Sequence, residues 1–207
     1  MNSRWGPVTN EPKSCSAGFS FVTGSVFEEH RQRIPNCPGV YVVFFRDYHP
    51  ILFDSGYRVS DYGAPWTIGP FAHHYTGETW GLRDRLNSHL FGTIRDSNLR
   101  KTILAIQASC GALGGAPNLS EGLAASECWL SHSLVQHSLI GFKECDYVLD
   151  VEAELLRGTP SPLNVKGRSS HPYAQELKRM TAALQAHPLV TTYLKDGPHH
   201  HHRRYRR

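Results

Sequence analysis

The chain has 207 residues, of which 40% are hydrophobic and 11% aromatic. This length and composition suit one domain with a sizeable core and argue against wholesale disorder. The formal net charge is +4, yet without the four arginines among the last five residues the chain has eighteen basic residues against eighteen acidic ones. Net charge is therefore weak evidence for a nucleic-acid partner, because the whole surplus lies in the tail.

The five cysteines are odd in number and include no CxxC pair, so they indicate neither a zinc framework nor a complete set of disulfides. A reducing cytoplasm is therefore the expected location. Residues 1–12 lack the basic segment and apolar run of a secretion signal, and no run approaches the roughly 18 apolar residues of a membrane span. We expect neither secretion nor insertion into a membrane.

The first half of the chain predicts strands separated by long irregular segments. Residues 1–36, rich in Gly, Ser and Pro, are expected to form an irregular lead-in with a candidate short helix at 27–33. β-Branched and aromatic residues predict a buried strand over 39–45, followed by a second strand at 51–54. Glycine and proline then mark a long connection before an extended pattern resumes at 71–76.

The long connection also contains three aromatic residues, Tyr57, Tyr62 and Trp66. Such side chains could stack on nucleic-acid bases. Packing of the loop against the domain is the commoner use of aromatic residues in this setting, and it is the interpretation we favour.

The second half predicts mainly helices. Leu82, Leu86 and Leu90 recur every four residues, which predicts a helix over 81–91 with one apolar stripe. Further helices are expected at 98–108, from a capping-box sequence at 118–121 to about 137, at 147–157 and at 173–186, with a strand at 139–145. Strands and helices thus alternate along the chain, without an internal repeat.

Glu152 is the most informative single residue. At helical spacing it lies on the apolar side of its helix, with Val148 one turn before it and Leu155 one turn after. A buried carboxylate usually has a cation, a hydrogen-bond donor or a metal ion beside it, because burial of an unpaired charge is costly. For an isolated glutamate, pairing with an arginine in a structural network is the commoner role. Asn164 follows twelve positions later, after a proline turn that could return it to the same helix face.

Arg85 and His89 lie one helical turn apart on a face next to the leucine stripe. Arg85 offers a planar, permanently charged donor fork suited to a phosphate whose negative charge grows in a transition state. His89 could hydrogen-bond a phosphate or assist proton transfer. Taken alone, a solvated arginine and a structural histidine would be the commoner roles.

Tyr41 and Tyr75 lie on predicted strands, where most tyrosines merely pack. Either phenol could contact a water molecule near a phosphate. To act as a base, a phenol needs its pKa lowered from about 10, which the charge of Arg85 or of a bound metal ion would favour.

The sequences GVY at 39–41 and YTG at 75–77 resemble the two signatures of the GIY-YIG nuclease superfamily. The spacing downstream is also similar to that family: Arg85 follows the second signature by eight positions, His89 follows Arg85 by four, and Asn164 follows Glu152 by twelve. The resemblance covers residues 38 to about 172. It implies an α/β (α+β) fold with a small central mixed or antiparallel sheet flanked by helices.

We therefore expect three parts along the chain. Residues 1–36 are the irregular lead-in, residues 37–187 form a single GIY-YIG-like domain with an insertion at about 46–70, and residues 188–207 form a basic His/Arg-rich tail. The tail could add nonspecific attraction to phosphates. We exclude its four consecutive histidines from the catalytic metal site, because such a run captures metal adventitiously.

The resemblance implies a divalent-metal-dependent DNA endonuclease that leaves 5′-phosphate and 3′-hydroxyl ends. Glu152 would bind one Mg²⁺ or Mn²⁺, and Arg85 would stabilise the scissile phosphate. Tyr75 is the first choice to orient or deprotonate the attacking water, with Tyr41 and His89 as alternates, and Asn164 would brace the site. The expected partner is DNA, double-stranded in the first instance, and a homodimer is one way to cut both strands.

Two locally basic segments, 83–101 and 157–179, overlap the predicted site. Basic side chains beside a scissile phosphate are suited to hold the rest of the nucleic-acid backbone. The predicted DNA contacts are Arg83, Arg95, Arg100, Lys101, Lys166 and Arg168.

Three features depart from the family pattern: Thr76 replaces an aliphatic residue, Glu78 stands where many members have a basic residue, and Tyr75 follows Tyr41 by 34 positions, much more than in the usual hairpin. Glu78 is the most serious, since a carboxylate near the phosphate would repel it unless it turns outward or helps to hold metal. The main alternative is therefore a noncatalytic nucleic-acid-binding protein of the same fold. A weaker one is a structural domain in which Arg85 and Glu152 form an internal ion pair. Restriction, repair, mobile-element and toxin roles all stay open.

Overall fold

An antiparallel sheet forms the centre of the structure, a computed structural model that describes residues 8–9, 18–46, 66–110, 119, 122–159, 161–164 and 172–196. Within these ranges the sheet has six strands in the order β1-β4-β5-β3-β6-β2. Every neighbouring pair is antiparallel. The strands are β1 (Val8–Thr9), β2 (Ser20–Thr23), β3 (Gly39–Arg46), β4 (Thr67–Ile68), β5 (Phe71–Thr79) and β6 (Ser138–Glu144).

Helices cover both faces of this sheet. They are α1 (Phe27–His30), α2 (Leu82–Phe91), α3 (Asn98–Cys110), α4 (Leu123–His137), α5 (Val148–Gly158), α6 (Pro172–Ala186) and α7 (Pro188–Asp196). The predicted strands at 39–45, 71–76 and 139–145 are confirmed, and so are the helices at 81–91, 98–108, 147–157 and 173–186. The mixed α/β fold class is confirmed as well, with a sheet that is antiparallel rather than mixed.

The central strand β3 separates two hydrophobic cores. Its residues from Gly39 to Phe45 are all buried, and alternate side chains point to opposite faces of the sheet. Tyr41, Val43 and Phe45 join the larger core, which is built with leucines of α2, α3, α4 and α6. On the other face, Val40, Val42 and Phe44 pack with Val148 and Leu155 of α5.

Trp66 fills a gap in the smaller core. Only 1% of it is exposed, and its ring lies edge-on to Phe44 with the ring centroids 4.9 Å apart. The packing interpretation is therefore confirmed for Trp66. Tyr57, Tyr62 and the predicted strand at 51–54 lie outside the described residues.

The described part of the lead-in differs from the irregular segment that we predicted. β2 pairs with β6 along its whole length, from Ser20 opposite Phe142 to Thr23 opposite Leu139, and the side chain of Phe27 is fully buried. A four-residue strand gives only a weak pattern, and its place in the sheet depends on β6, more than a hundred positions later.

The tail also contains one ordered element that we did not predict. Pro188 opens α7, a position that suits proline because the first helical residue needs no N–H partner within the helix, and Val190 is fully buried in the larger core. Residues 197–207 lie outside the described part, as do residues 118, 120 and 121 of the predicted capping box. No helix in the described ranges combines the length and apolar character needed to cross a membrane.

Buried His74 makes stability depend on pH. Its Nδ1 lies 2.6 Å from the carbonyl oxygen of Ala72, and its ring packs against Phe45. Burial lowers the pKa of His74 to about 4. An unfolded histidine has a pKa of about 6.5, so between these two values the unfolded chain holds a proton that the folded chain lacks.

We predict that His74 lowers the free energy of unfolding by on the order of 3 kcal/mol as the pH falls from 6.5 to 4. Above pH 6.5 it should have no effect, because the histidine is then neutral in both states. Denaturation by urea at several pH values measures this loss. His74→Gln keeps a side-chain N–H for Ala72 and should weaken the dependence of the unfolding free energy on pH. His132→Gln, at an exposed histidine, should not. Equal pH dependence in all three proteins would contradict the prediction.

Candidate active site

A cavity of about 610 Å³ lies beside β3 and β5. Five of the six predicted catalytic residues line it, although they come from two strands, two helices and a loop: Tyr41, Tyr75, Arg85, Glu152 and Asn164. The sixth, His89, is buried directly behind Tyr41, with their ring centroids 5.0 Å apart. The fold therefore gathers residues that are more than a hundred positions apart in the sequence.

The hydroxyl of Tyr41 is the meeting point of this group. Arg85 donates to it from Nε at 3.3 Å, and Nε2 of His89 lies 2.7 Å from it. Arg85 is itself fixed by a 2.8 Å hydrogen bond from Nη1 to the carbonyl oxygen of Asp96. Helix α2 thus presents both residues to one atom of β3, because Arg85 and His89 are a turn apart.

Gly77 makes room for this arrangement. It pairs with Tyr41 across the β3–β5 ladder, and a Cβ atom at Gly77 would lie 2.3 Å from the Tyr41 hydroxyl. Any larger residue would therefore push the phenol away from Arg85 and His89. Position 77 therefore requires glycine because a side chain would collide with Tyr41, and not because the backbone has a positive φ angle.

His89 is a neutral imidazole in this environment. Burial, followed by the positive charges of Arg85 and Arg100, holds its pKa well below the usual range. A neutral imidazole has one donor and one acceptor nitrogen. Nε2 of His89 faces Tyr41, and its Nδ1 lies 2.6 Å from Ser97 Oγ. The contact with Ser97 therefore influences which ring nitrogen of His89 carries the proton.

Ser97 is a site residue that the sequence analysis missed. Its Oγ accepts a 3.1 Å hydrogen bond from the backbone N–H of Arg100 and so caps the first turn of α3. With one lone pair used in this way, the same oxygen is still able to accept Nδ1–H of His89. A serine before a helix predicts a cap, but no sequence signal shows that the cap also contacts a histidine.

Both tyrosines are protonated at neutral pH. Burial raises the pKa of Tyr41, and Arg85 opposes that effect. The pKa of Tyr75 lies well above its ordinary value, chiefly through burial and then through Tyr41, with a contribution from the charge of Glu152. The charge of Arg85 lowers the pKa of both phenols, and at Tyr41 the hydrogen bond from Arg85 acts in the same direction.

Asn164 ties the loop after α5 to the open edge of β5. Its Oδ1 accepts the N–H of Thr76 at 2.8 Å, and its Nδ2 donates to the carbonyl of the same residue at 2.7 Å. Leu163 adds a 2.9 Å backbone hydrogen bond to the carbonyl of His74. The side-chain amide thus takes the place of a neighbouring strand's backbone and fixes the position of β5.

Thr76, a departure from the family pattern, is accommodated by the same region. Its hydroxyl lies 2.9 Å from Nε2 of His73 and 3.3 Å from Oγ of Ser161. The buried hydroxyl therefore has hydrogen-bond partners that an aliphatic residue would not need.

Glu152 is 6% exposed and lines the cavity, as expected from its place on the apolar side of α5. Glu78 lines the same cavity. Within the described ranges, no cluster of three or more His, Cys, Asp or Glu side chains could hold a metal ion. A donor set of one or two carboxylates still fits Mg²⁺, which commonly keeps several water ligands and takes others from a substrate phosphate.

The position of Arg100 is contrary to our prediction that it contacts DNA. It is completely buried, and its Nη2 forms a 2.6 Å ion pair with Glu127. Its Nη1 donates to the carbonyl oxygens of His89 and Leu90, at 3.3 and 3.0 Å, near the end of α2. These contacts join α2, α3 and α4, so the role of Arg100 is structural.

The other predicted DNA contacts divide into three groups. Lys101 lines the cavity. Arg83 and Arg95 are engaged elsewhere, Arg83 by a 2.8 Å hydrogen bond to the carbonyl of Ile34 and Arg95 by a hydrogen bond to the carbonyl of Tyr193, over whose ring it also lies. Lys166 and Arg168 lie outside the described residues.

Comparisons of the chain with protein-family models, with curated proteins and with solved structures give no match. The interpretation of the cavity therefore rests on its own residues and their geometry.

We predict that Gly77→Ala destabilises the protein by about 1–3 kcal/mol, the usual cost of overpacking a tight site. Urea denaturation measures the change. Gly81→Ala is the matched control, because the nearest atom to its added Cβ is a side-chain oxygen of exposed Asn36 at 3.0 Å, which is able to move. Equal losses in the two variants would show that Tyr41 does not restrict position 77.

Proposed function

We propose that the protein is a divalent-metal-dependent DNA endonuclease of the GIY-YIG type, which hydrolyses phosphodiester bonds to 5′-phosphate and 3′-hydroxyl ends. The observation that carries the proposal is the Tyr41 hydroxyl, held at 3.3 Å from Arg85 Nε and 2.7 Å from His89 Nε2 in a cavity that also contains Glu152. Together these residues supply a cation for a phosphate, a route for a proton and a ligand for a metal ion.

Arg85 is the residue suited to the scissile phosphate. Its Nε donates to the Tyr41 hydroxyl and its Nη1 to the carbonyl oxygen of Asp96. Its Nη2 makes no hydrogen bond within the described part of the chain. The guanidinium lines the cavity and remains charged, so it has capacity to bind a phosphate oxygen. Such a donor stabilises the charge that develops on phosphorus-bound oxygens during displacement.

For the base, the geometry favours Tyr41 over Tyr75, the first choice from the sequence. The phenol oxygen of Tyr41 would accept a proton from the attacking water while its own proton passes to Nε2 of neutral His89. The water oxygen forms a bond to phosphorus, the bond from phosphorus to the 3′ oxygen breaks, and the leaving 3′ oxygen takes a proton from a solvent water molecule. The proton held on His89 returns to solvent through Tyr41 after the reaction. This route requires His89 to carry its proton on Nδ1, directed to Ser97.

Glu152 would hold the single Mg²⁺ or Mn²⁺. When bound, the ion supplies positive charge that stabilises the phosphate and the leaving oxygen. Asn164 would act indirectly, by keeping the loop after α5 fixed to β5. Glu152 and Tyr75 would then both continue to line the cavity.

One observation favours the noncatalytic alternative. Glu78 lines the cavity and raises the pKa of Tyr41, although burial is the larger cause of that rise. A second carboxylate near the phosphate weakens binding unless it shares the metal ion. A protein of this type would bind DNA and leave it intact. Arg85, in contrast, donates to Tyr41 and Asp96 rather than to Glu152, which is unfavourable to a purely structural Arg85–Glu152 pair.

The decisive experiment incubates plasmid, linear duplex and single-stranded DNA with Mg²⁺, Mn²⁺ or a chelator. We expect metal-dependent cleavage by the wild type and a loss of about 100-fold or more in Glu152→Gln, the order seen when one transition-state contact is removed. Glu154→Gln is the matched control, because Glu154 is exposed on the same helix. Retained cleavage by Glu152→Gln would refute the metal role, and binding without cleavage by the wild type would favour the alternative.

A second prediction concerns the proton route. Ser97→Ala removes the acceptor for Nδ1–H of His89, so kcat should fall while KM changes little, because substrate does not contact Ser97. It also removes a helix cap worth about 0.5–2 kcal/mol, so the assay is done well below the unfolding temperature. Ser97→Thr keeps the hydroxyl and should retain most activity. A wild-type kcat in Ser97→Ala would show that this hydroxyl does not set the proton route.

A further inference from the structure

One wall of the cavity is formed by two helices that carry none of the proposed catalytic residues. α3 and α6 pack against each other, and both face the cavity. α3 contributes Asn98, Lys101 and Thr102, and α6 contributes Lys178, Thr181 and Gln185. None of these six side chains is acidic, and all of them can donate hydrogen bonds.

The spacing shows that each helix presents one face. Positions 98, 101 and 102 on α3, and 178, 181 and 185 on α6, follow the three- and four-residue steps of a helix surface. The α6 face alone covers about 10 Å of the wall, from the helical rise of 1.5 Å per residue. The wall is therefore long enough to contact more of a substrate than the group bound at Arg85.

Lys101 is a partly desolvated cation at this wall. Its side chain is half-buried, and in the described part of the chain its ammonium group makes no hydrogen bond or ion pair. Burial lowers its pKa, which shows that the charged form has lost solvation without gaining a partner. A bound phosphate would compensate for this loss.

Thr181 provides an independent sign of an unfilled contact. Its Oγ1 is shielded from solvent and has no hydrogen-bond partner within the described residues. A buried hydroxyl without a partner is costly, so such groups are usually satisfied by water or by a ligand. The Thr181 hydroxyl lies on the same helix face as Lys178, one turn away.

From these contacts we infer that the α3–α6 face binds the sugar–phosphate backbone beside the scissile phosphate, with Lys101 and Lys178 holding a flanking phosphate. The inference rests on the proposed function and adds a binding site to it. Lysine, threonine, asparagine and glutamine side chains are typical phosphate and sugar contacts, which hold a strand without reading its sequence. The face therefore sets the affinity and register of the strand rather than the choice of target.

Salt-dependent DNA binding tests the site without relying on cleavage. The full chain is mixed with a short labelled DNA duplex, or with the matching single strand, in the presence of a chelator that prevents cleavage. The Kd is measured over a range of salt concentrations. Lys101→Met and Lys178→Met remove the charge and keep an apolar stem. Each should raise Kd and reduce the slope of log Kd against log salt by about one.

Lys195→Met is the matched control, because Lys195 is an exposed lysine of α7 that does not line the cavity. It should bind like the wild type, and thermal unfolding should show that all variants are folded. If Lys101→Met and Lys178→Met also bind like the wild type, or if the wild type binds neither DNA, the inference is wrong. A wild type that binds through these lysines but cleaves nothing in any metal would refute the nuclease proposal alone.

Discussion

The candidate site depends on one contact, the meeting of the Tyr41 hydroxyl with Arg85 and His89. The contact joins the centre of the sheet to α2, and it exists only because Gly77 leaves the space opposite Tyr41 empty. A strand residue, a helix and a glycine on the next strand are therefore fixed together. Loss of any one of them changes the positions of the other two.

Burial has opposite consequences for the two kinds of group at this contact. It raises the pKa of the tyrosines and lowers that of His89, so each group is held in its neutral form. Arg85 remains the permanent charge at the centre of the group. Transfer of a proton from the neutral phenol to the neutral imidazole places a positive charge on His89, which Arg85 and Arg100 oppose, so in the proposed route it has to be coupled to loss of a proton from the attacking water.

The sequence predicted the elements that carry Tyr41, Arg85 and Glu152, because long periodic or apolar segments are strong signals. The helical pattern also predicted that Glu152 lies on the buried side of its helix, but no pattern predicted the burial of Arg100. Arg100 belongs to a basic segment, which predicts a DNA contact, yet its partner Glu127 lies 27 positions away on another helix. The short strand β2 has the same explanation, because its partner β6 lies more than a hundred positions away. Ser97 differs: His89 is only eight positions away, but no sequence pattern indicates a side-chain contact between a helix cap and the preceding helix.

The bond between Asn164 and Thr76 has a consequence beyond the site. Within the described part of the chain, no strand pairs with Thr76 on the side of β5 away from β3, and the Asn164 amide occupies both the N–H and the C=O there. Open strand edges of this kind recruit strands from other molecules. The residue that braces the cavity therefore also protects the sheet against edge-to-edge association, so that its loss would reduce solubility as well as local order.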